Sequence, residues 1–308
     1  MERRKAAFGA TVTLGATVMA GISWETVLLG WALGTALLFL PKKRRSTSSA
    51  GANLGTILGG VALLAAVLQL AEGAFPEDST FPAVSLGLML LLWRATASQQ
   101  PCRTVVTNGL GVCLAILFGA ILLLSLTNIS WTALEPREVS WGKCELAMLT
   151  TAPWWPLRGQ MDKKAWAWYG GSGVTAVGLS WLTFGTLGRG LAEEATYPVY
   201  SAVQTIRLFG NQLRLEALVA AAVLMGSFCI LLMVGSAVTG SVEKLIPGIK
   251  GKWAAAGVCV AAFLLEWGWR NSPWWHNWEI KAIFWVIFGV WALWVGDAEK
   301  VEKSEKSS

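Results

Sequence analysis

Charge is scarce in this chain. Asp, Glu, Lys and Arg make up 14% of its 308 residues, against about 25% in a soluble globular domain. That is too little polar material to coat a water-facing surface, which excludes a cytosolic enzyme and a nucleic-acid reader. Histidine occurs once, as His276 between Trp275 and Asn277, and tyrosine only three times. No cluster suggests a nucleophile with its base or a metal ligand set, so the sequence predicts no enzyme, no metal and no cofactor. Five cysteines (Cys102, Cys113, Cys144, Cys229, Cys259) are odd in number and unpaired in spacing, which argues against a disulfide framework. What is plentiful is apolar: 54% of the residues are hydrophobic and 19 are tryptophan. The composition is that of a polytopic integral membrane protein, with the lipid bilayer as its first partner and its +6 charge placed by membrane topology rather than by nucleic acid.

A helix needs about 20 apolar residues to cross the hydrocarbon core. Suitable stretches lie near 52–71, 81–98, 104–127, 165–187, 214–239, 253–269 and 279–296. Residues 7–40 divide at Gly21-Ile22-Ser23-Trp24-Glu25 into a short span, 7–20, and a normal one, 23–40. Residues 142–157 are short and interrupted by Pro153 and Pro156. Including them places Arg3–Lys5, Lys42–Arg45, Arg94 with Arg103, Arg158 with Lys163–Lys164, Lys244–Lys252 and the tail lysines on one side, as the positive-inside rule requires. The expectation is an all-α membrane protein of about ten spans with both termini cytoplasmic. A cleaved signal peptide over residues 1–20 is the rival reading of the first span. Tryptophans 24, 131, 141, 154, 155, 166, 168, 267, 269, 274, 275 and 278 fall near span ends and read as an interfacial belt.

Ten spans divide into two five-helix repeats, 1–139 and 140–296, followed by a disordered cytoplasmic tail, 297–308. Transporters built from inverted repeats place their site where matching helices are broken in both halves. The first span has Gly15, Ala16 and Thr17; its counterpart, the sixth, has Thr150, Thr151 and Pro153. Glycine permits an unwound backbone and proline removes a donor, so both stretches can free backbone groups for a ligand. For any one of these residues, close helix packing is the competing explanation. Among charges near the spans, Glu145 and Glu216 are candidates for coupling or gating, with snorkelling the default for them and for Glu266 and Arg94. Gln69 is a weaker polar candidate. An outer segment, 190–212, carries Val199, Val203, Ile206 and Phe209 at helical spacing and predicts a short amphipathic helix.

Tyr197-Pro198-Val199-Tyr200, then Ile206-Arg207 and Gly210, then Arg214-Leu215-Glu216-Ala217-Leu218 entering an apolar span, resembles the spore-germination permease family. Leu134-Glu135-Pro136 and Cys144-Glu145 with Pro153 are similar too, although that family often has Gly-Glu where Cys144-Glu145 stands. Its members are the B subunits of endospore germinant receptors, within the amino acid–polyamine–organocation superfamily. The resemblance implies a transporter-like fold of two inverted five-helix repeats with a pocket near the first and sixth helices. It further implies recognition of an amino acid or similar germinant, sister A and C subunits as partners, and residence in the endospore inner membrane or the bacterial cell membrane. A stand-alone amino-acid or organic-cation transporter, coupled to protons through Glu145 or Glu216, is the alternative.

Overall fold

Long uncharged runs fold as helices because a backbone in apolar surroundings must satisfy its own N–H and C=O groups. The computed structural model describes residues 2–19, 21–39, 50–72, 82–97, 100–134, 139, 141–157, 161–195, 198–208, 211–212 and 215–270. The expected tenth span at 279–296 and the tail lie outside the described residues, as do Glu135, Pro136, Tyr197, Phe209 and Arg214.

Among the described residues there are ten α-helices: α1 Glu2–Leu14, α2 Trp24–Leu38, α3 Ala50–Glu72, α4 Ala83–Ala97, α5 Gln100–Ser125, α6 Trp141–Leu149, α7 Lys163–Glu194, α8 Pro198–Gln204, α9 Glu216–Leu245 and α10 Gly251–Arg270. The rest of the described structure is helical turns and loops, apart from an antiparallel pair of two-residue strands, β1 Arg207–Leu208 and β2 Asn211–Gln212. Among the described residues three helices are long and apolar enough to cross a membrane, over Asn53–Glu72, Val105–Asn128 and Glu216–Leu245; α2 and α4 are shorter apolar helices.

The helices pack in two groups. In one, α1, α2, α6 and α7 lie together; in the other, α3, α4, α9 and α10 do. Helix α1 joins them, because it also packs on α9 and α5 and is buried from Ala6 to Ala16. Its neighbours give directions. Phe8 meets Gly171 and Gly15 meets Ala176, so α1 and α7 run parallel; Gly9 meets Cys229 and Thr13 meets Gly226, so α9 is antiparallel to α1. Gly30 and Gly34 of α2 lie against Ala147 of α6 and Thr151 just beyond its end, with no room for a side chain at either glycine. Small residues at this spacing let two helix backbones approach closely without lipid between them.

Two outer features differ from expectation. Helix α7 does not stop at Gly188, which adopts φ 72° and kinks the helix; the chain then turns on to Glu194, with Arg189 and Glu193 ion-paired at 2.9 Å. Residues 190–194 of the expected outer segment therefore belong to α7. The amphipathic helix α8 is also shorter than its apolar spacing suggests. Thr205 and Ile206 bond back three residues, to Ala202 and Val203, and close the helix tightly. Ile206 is buried beyond the helix end.

Candidate functional site

The first helix changes winding where the sequence has its glycine. After Leu14 the chain continues as a π-helical turn, Gly15–Met19, a wider winding often found at functional positions. Ala16 is buried and Thr17 half-buried, and the Thr17 hydroxyl donates to the Thr13 carbonyl at 2.8 Å. Gly15 itself is not crowded, since a Cβ there would sit 3.5 Å from that of Ala176.

Helix α6 ends at Leu149 and gives way, through Thr150 and Thr151, to a 3-10 stretch, Ala152–Leu157. Pro153 lacks the N–H that would bond Leu149, and its ring disfavours α backbone at Ala152. The two threonines tighten the end. Thr150 and Thr151 donate their hydroxyls to the carbonyls of Ala147 and Met148, each at 2.7 Å, and the Thr151 N–H bonds Met148 rather than Ala147. The Thr151 hydroxyl also accepts from the Trp155 indole at 3.0 Å, so its hydrogen-bonding capacity is spent within the fold.

The two interruptions belong to neighbouring helices, but they do not meet at one point. The π turn of α1 packs against α6, and the 3-10 stretch packs against α1. On α7, Gly15 meets Ala176, whereas Trp154 of the 3-10 stretch meets Tyr169. Tyr169 and Ala176 are two helical turns apart, about 10 Å. Gly15, Ala16 and Thr17 thus lie one to two turns along the bundle from Thr150, Thr151 and Pro153. Between the two levels runs the stretch of α1 that carries Thr11.

Tryptophans concentrate here. The Tyr169 ring stacks on Trp31 at 4.7 Å and takes Trp154 and Trp166 edge-on at 5.5 and 5.7 Å. Its hydroxyl lies 2.7 Å from that of Thr35, which itself donates to the Trp31 carbonyl. Trp154 and Trp155 are 0% and 2% exposed. The belt reading is corrected for these two: they are core residues, because the 3-10 stretch turns them inward against α1 and α7. Trp131 and Trp141, at 64% and 72% exposure, do face outward.

Neither candidate carboxylate joins the interruptions. Glu145 is exposed on α6, and half-buried Glu216 opens α9, more than two turns before the Gly226 contact with Thr13. Glu266, expected to snorkel, is fully buried on α10 instead. Gln69 is half-buried, with its side-chain oxygen shielded and unpartnered. The end of the bundle that carries the N-terminus is pinned by charge. Arg4 of α1 pairs with Asp162 at 2.9 Å, and Asp162 caps α7 by accepting from the Ala165 N–H at 2.8 Å. That backbone bond, with the nearby Arg4 guanidinium second, holds the exposed Asp162 carboxyl below the usual carboxylate range. The next residue on α1, Lys5, lies over the Trp168 ring, 5.8 Å from its centre.

Two residues the sequence did not single out are Thr11 and Trp154. Both are 0% exposed, and the Thr11 hydroxyl and Trp154 indole N–H have no hydrogen-bond partner. The available signals were Thr11 on the helical face of Phe8 and Gly15, and Trp154 following Pro153. No family model matches the chain, and no curated protein matches it.

Proposed function

We propose that this chain is a permease-like membrane subunit of a spore germinant receptor, which binds an amino acid or similar small germinant between its first and sixth spans. Binding shifts the bundle between two arrangements, and sister A and C subunits turn that shift into germination. A ligand does this only through unequal affinity for the two arrangements.

The observation that carries the transporter-like part is the symmetry of the helix contacts. With α6, α7, α9 and α10 numbered as spans six to nine, a shift by five spans returns most of the pairings, although the packing of α1 on α9 has no counterpart between α6 and α3. The contact of α1 with α7 becomes that of α6 with α2; α3 with α10 becomes α9 with α4; α9 with α10 becomes α3 with α4; and α2–α7, α3–α9 and α4–α10 map onto themselves. Two inverted five-helix repeats with the interrupted helices paired at their centre account for that pattern. The alternating directions of α1, α2, α6, α7 and α9 fit the alternation of odd and even spans that this topology requires. The germinant-receptor part rests on the resemblance around residues 185–220, where Pro198–Gln204 forms the short helix and Glu216 opens α9.

The test uses the full chain in lipid nanodiscs. Amino acids are screened by quenching of tryptophan emission, to which Trp154 and Trp155 contribute from the 3-10 stretch. Saturable, selective quenching is expected, together with co-purification of the chain with its sister subunits from spores. Absence of binding across the panel, with and without those subunits, overturns the reading. Concentrative uptake into proteoliposomes by this chain alone favours the stand-alone transporter.

A further inference from the structure

We infer that the Trp154 indole N–H and the Thr11 hydroxyl form the acceptor-binding end of the ligand site and select solutes carrying a free carboxylate. The inference rests on the proposed binding of a small solute between the first and sixth spans.

Buried helical hydroxyls in this chain normally bond the carbonyl one turn back. Thr13 donates to Gly9, Thr175 to Gly171 and Thr183 to Leu179, at 2.6–2.9 Å. Thr11 lies on the same helices' packed interior yet makes no such bond. Trp155 donates its indole N–H to Thr151 at 3.0 Å, while the adjacent and equally buried Trp154 donates to nothing. A buried donor left unmade is costly, and such groups are few in folded proteins. Among the described residues Ser227 and Thr239 of α9 are also buried without a partner, but Thr11 and Trp154 fall together beside the helix interruptions. Thr11 shares its helical face with Phe8 and Gly15, which meet α7 at Gly171 and Ala176; Trp154 meets α7 at Tyr169, and its stretch packs on α1. The pair therefore spans the column of α1 between the two helix interruptions.

The chemistry of the pair sets the ligand class. An indole N–H only donates, and a hydroxyl donates readily, so the pair calls for acceptor oxygens. A carboxylate supplies two, and its hydrogen bonds are stronger than those of a neutral carbonyl. The two basic residues described on α1 are engaged elsewhere, Arg4 with Asp162 and Lys5 over Trp168. A solute held here by neutral donors must bring its own counter-charge, as an amino-acid zwitterion does.

The experiment measures equilibrium binding of the tightest radiolabelled amino acid from the panel, with its methyl ester as competitor, to the full chain in nanodiscs. Trp154→Phe keeps an aromatic ring but removes the indole N–H with its five-membered ring; Thr11→Val keeps the shape and removes the hydroxyl. Each is expected to weaken the amino acid roughly tenfold or more, while the ester changes less than about threefold, so preference for the acid collapses. Where Trp154→Phe fails to fold, benzothienylalanine at 154 replaces the N–H by sulfur within the same ring outline, and the same collapse is expected. Unchanged affinity in these variants overturns the inference while leaving the solute site standing, and so does equal loss for acid and ester, which marks a structural role. A wild-type chain that binds none of the panel overturns the proposed function, and this inference falls with it.

Discussion

Whether Thr151 serves the fold or a ligand is decided by its contact with Gly34. A Cβ added at position 34 would lie 2.7 Å from the Thr151 Cγ2, 2.9 Å from its Cβ, and closer still to its Oγ1. Gly34→Ala therefore forces α2 off α6. Overpacking of this kind costs about 1–3 kcal/mol, of which the better helix propensity of alanine returns up to about 1 kcal/mol. Thr151→Ala removes two of the three crowding atoms but strands the Trp155 indole N–H, at about 1–3 kcal/mol. If the overlap is the cause, the double variant loses little more than Thr151→Ala alone. The two substitutions then couple favourably by about 1–2 kcal/mol, well above the few tenths expected of independent sites. Unfolding in mixed micelles of rising SDS content, followed by tryptophan emission, measures all four proteins. Additive losses would refute the reasoning, because they would mean that α2 and α6 do not meet through this pair.

Other substitutions separate the remaining roles. Gly15→Ala should insert, fold and bind like the wild type, since its methyl meets Ala176 at ordinary contact distance, whereas Gly15→Leu must displace α7 and should abolish ligand-induced quenching; normal quenching in a correctly inserted Gly15→Leu protein sinks the π turn as part of the site. Thr35→Val leaves the buried Tyr169 hydroxyl without its acceptor and should cost about 1–3 kcal/mol, most of it recovered when Tyr169→Phe is added, as read by the same micelle titration. Asp162→Asn keeps a capping side chain but loses the ion pair with Arg4, and Asp162→Ala loses both, so thermal unfolding should rank wild type above Asn above Ala. Because the native Asp162 carboxyl is held below its unfolded value near 3.9, its stabilisation is complete above that value and fades only as pH falls through the lower native one. The stability difference between wild type and Asp162→Asn should thus be flat from pH 8 to 5 and shrink only below about pH 4, and a step between pH 8 and 5 refutes the carboxylate's role.

Most helices were legible because long apolar runs obey one rule: the backbone must satisfy its own polar groups where the side chains cannot. The rule locates α2, α3, α4, α5, α9 and α10 from composition alone, and charge placement rescued the short α6. It says less about ends. Gly188 looked like a stop, yet glycine at φ 72° turns the helix and lets it resume. Ile206 continued the apolar period of α8, but periodicity reports which side faces the core, not whether the backbone is still helical.

The candidate site was legible only in part, for a reason that lies in the geometry. Gly15 and Pro153 mark where winding changes, and winding is a local property that residue types announce. Which side chains end up between the two changes depends on how far along the bundle each helix is set, and that offset follows from packing contacts such as Gly15 on Ala176 and Trp154 on Tyr169. Counting positions within each span gives no sign of a two-turn displacement. The displacement matters chemically. Had the interruptions met at one level, Thr150 and Thr151 would be the natural ligand groups; with their hydroxyls turned back to Ala147 and Met148, they hold the end of α6 instead. Near the interruptions, the unspent polar capacity among the described residues lies on the regular turn of α1 that carries Thr11 and on Trp154, the tryptophan that Pro153 delivers to the core.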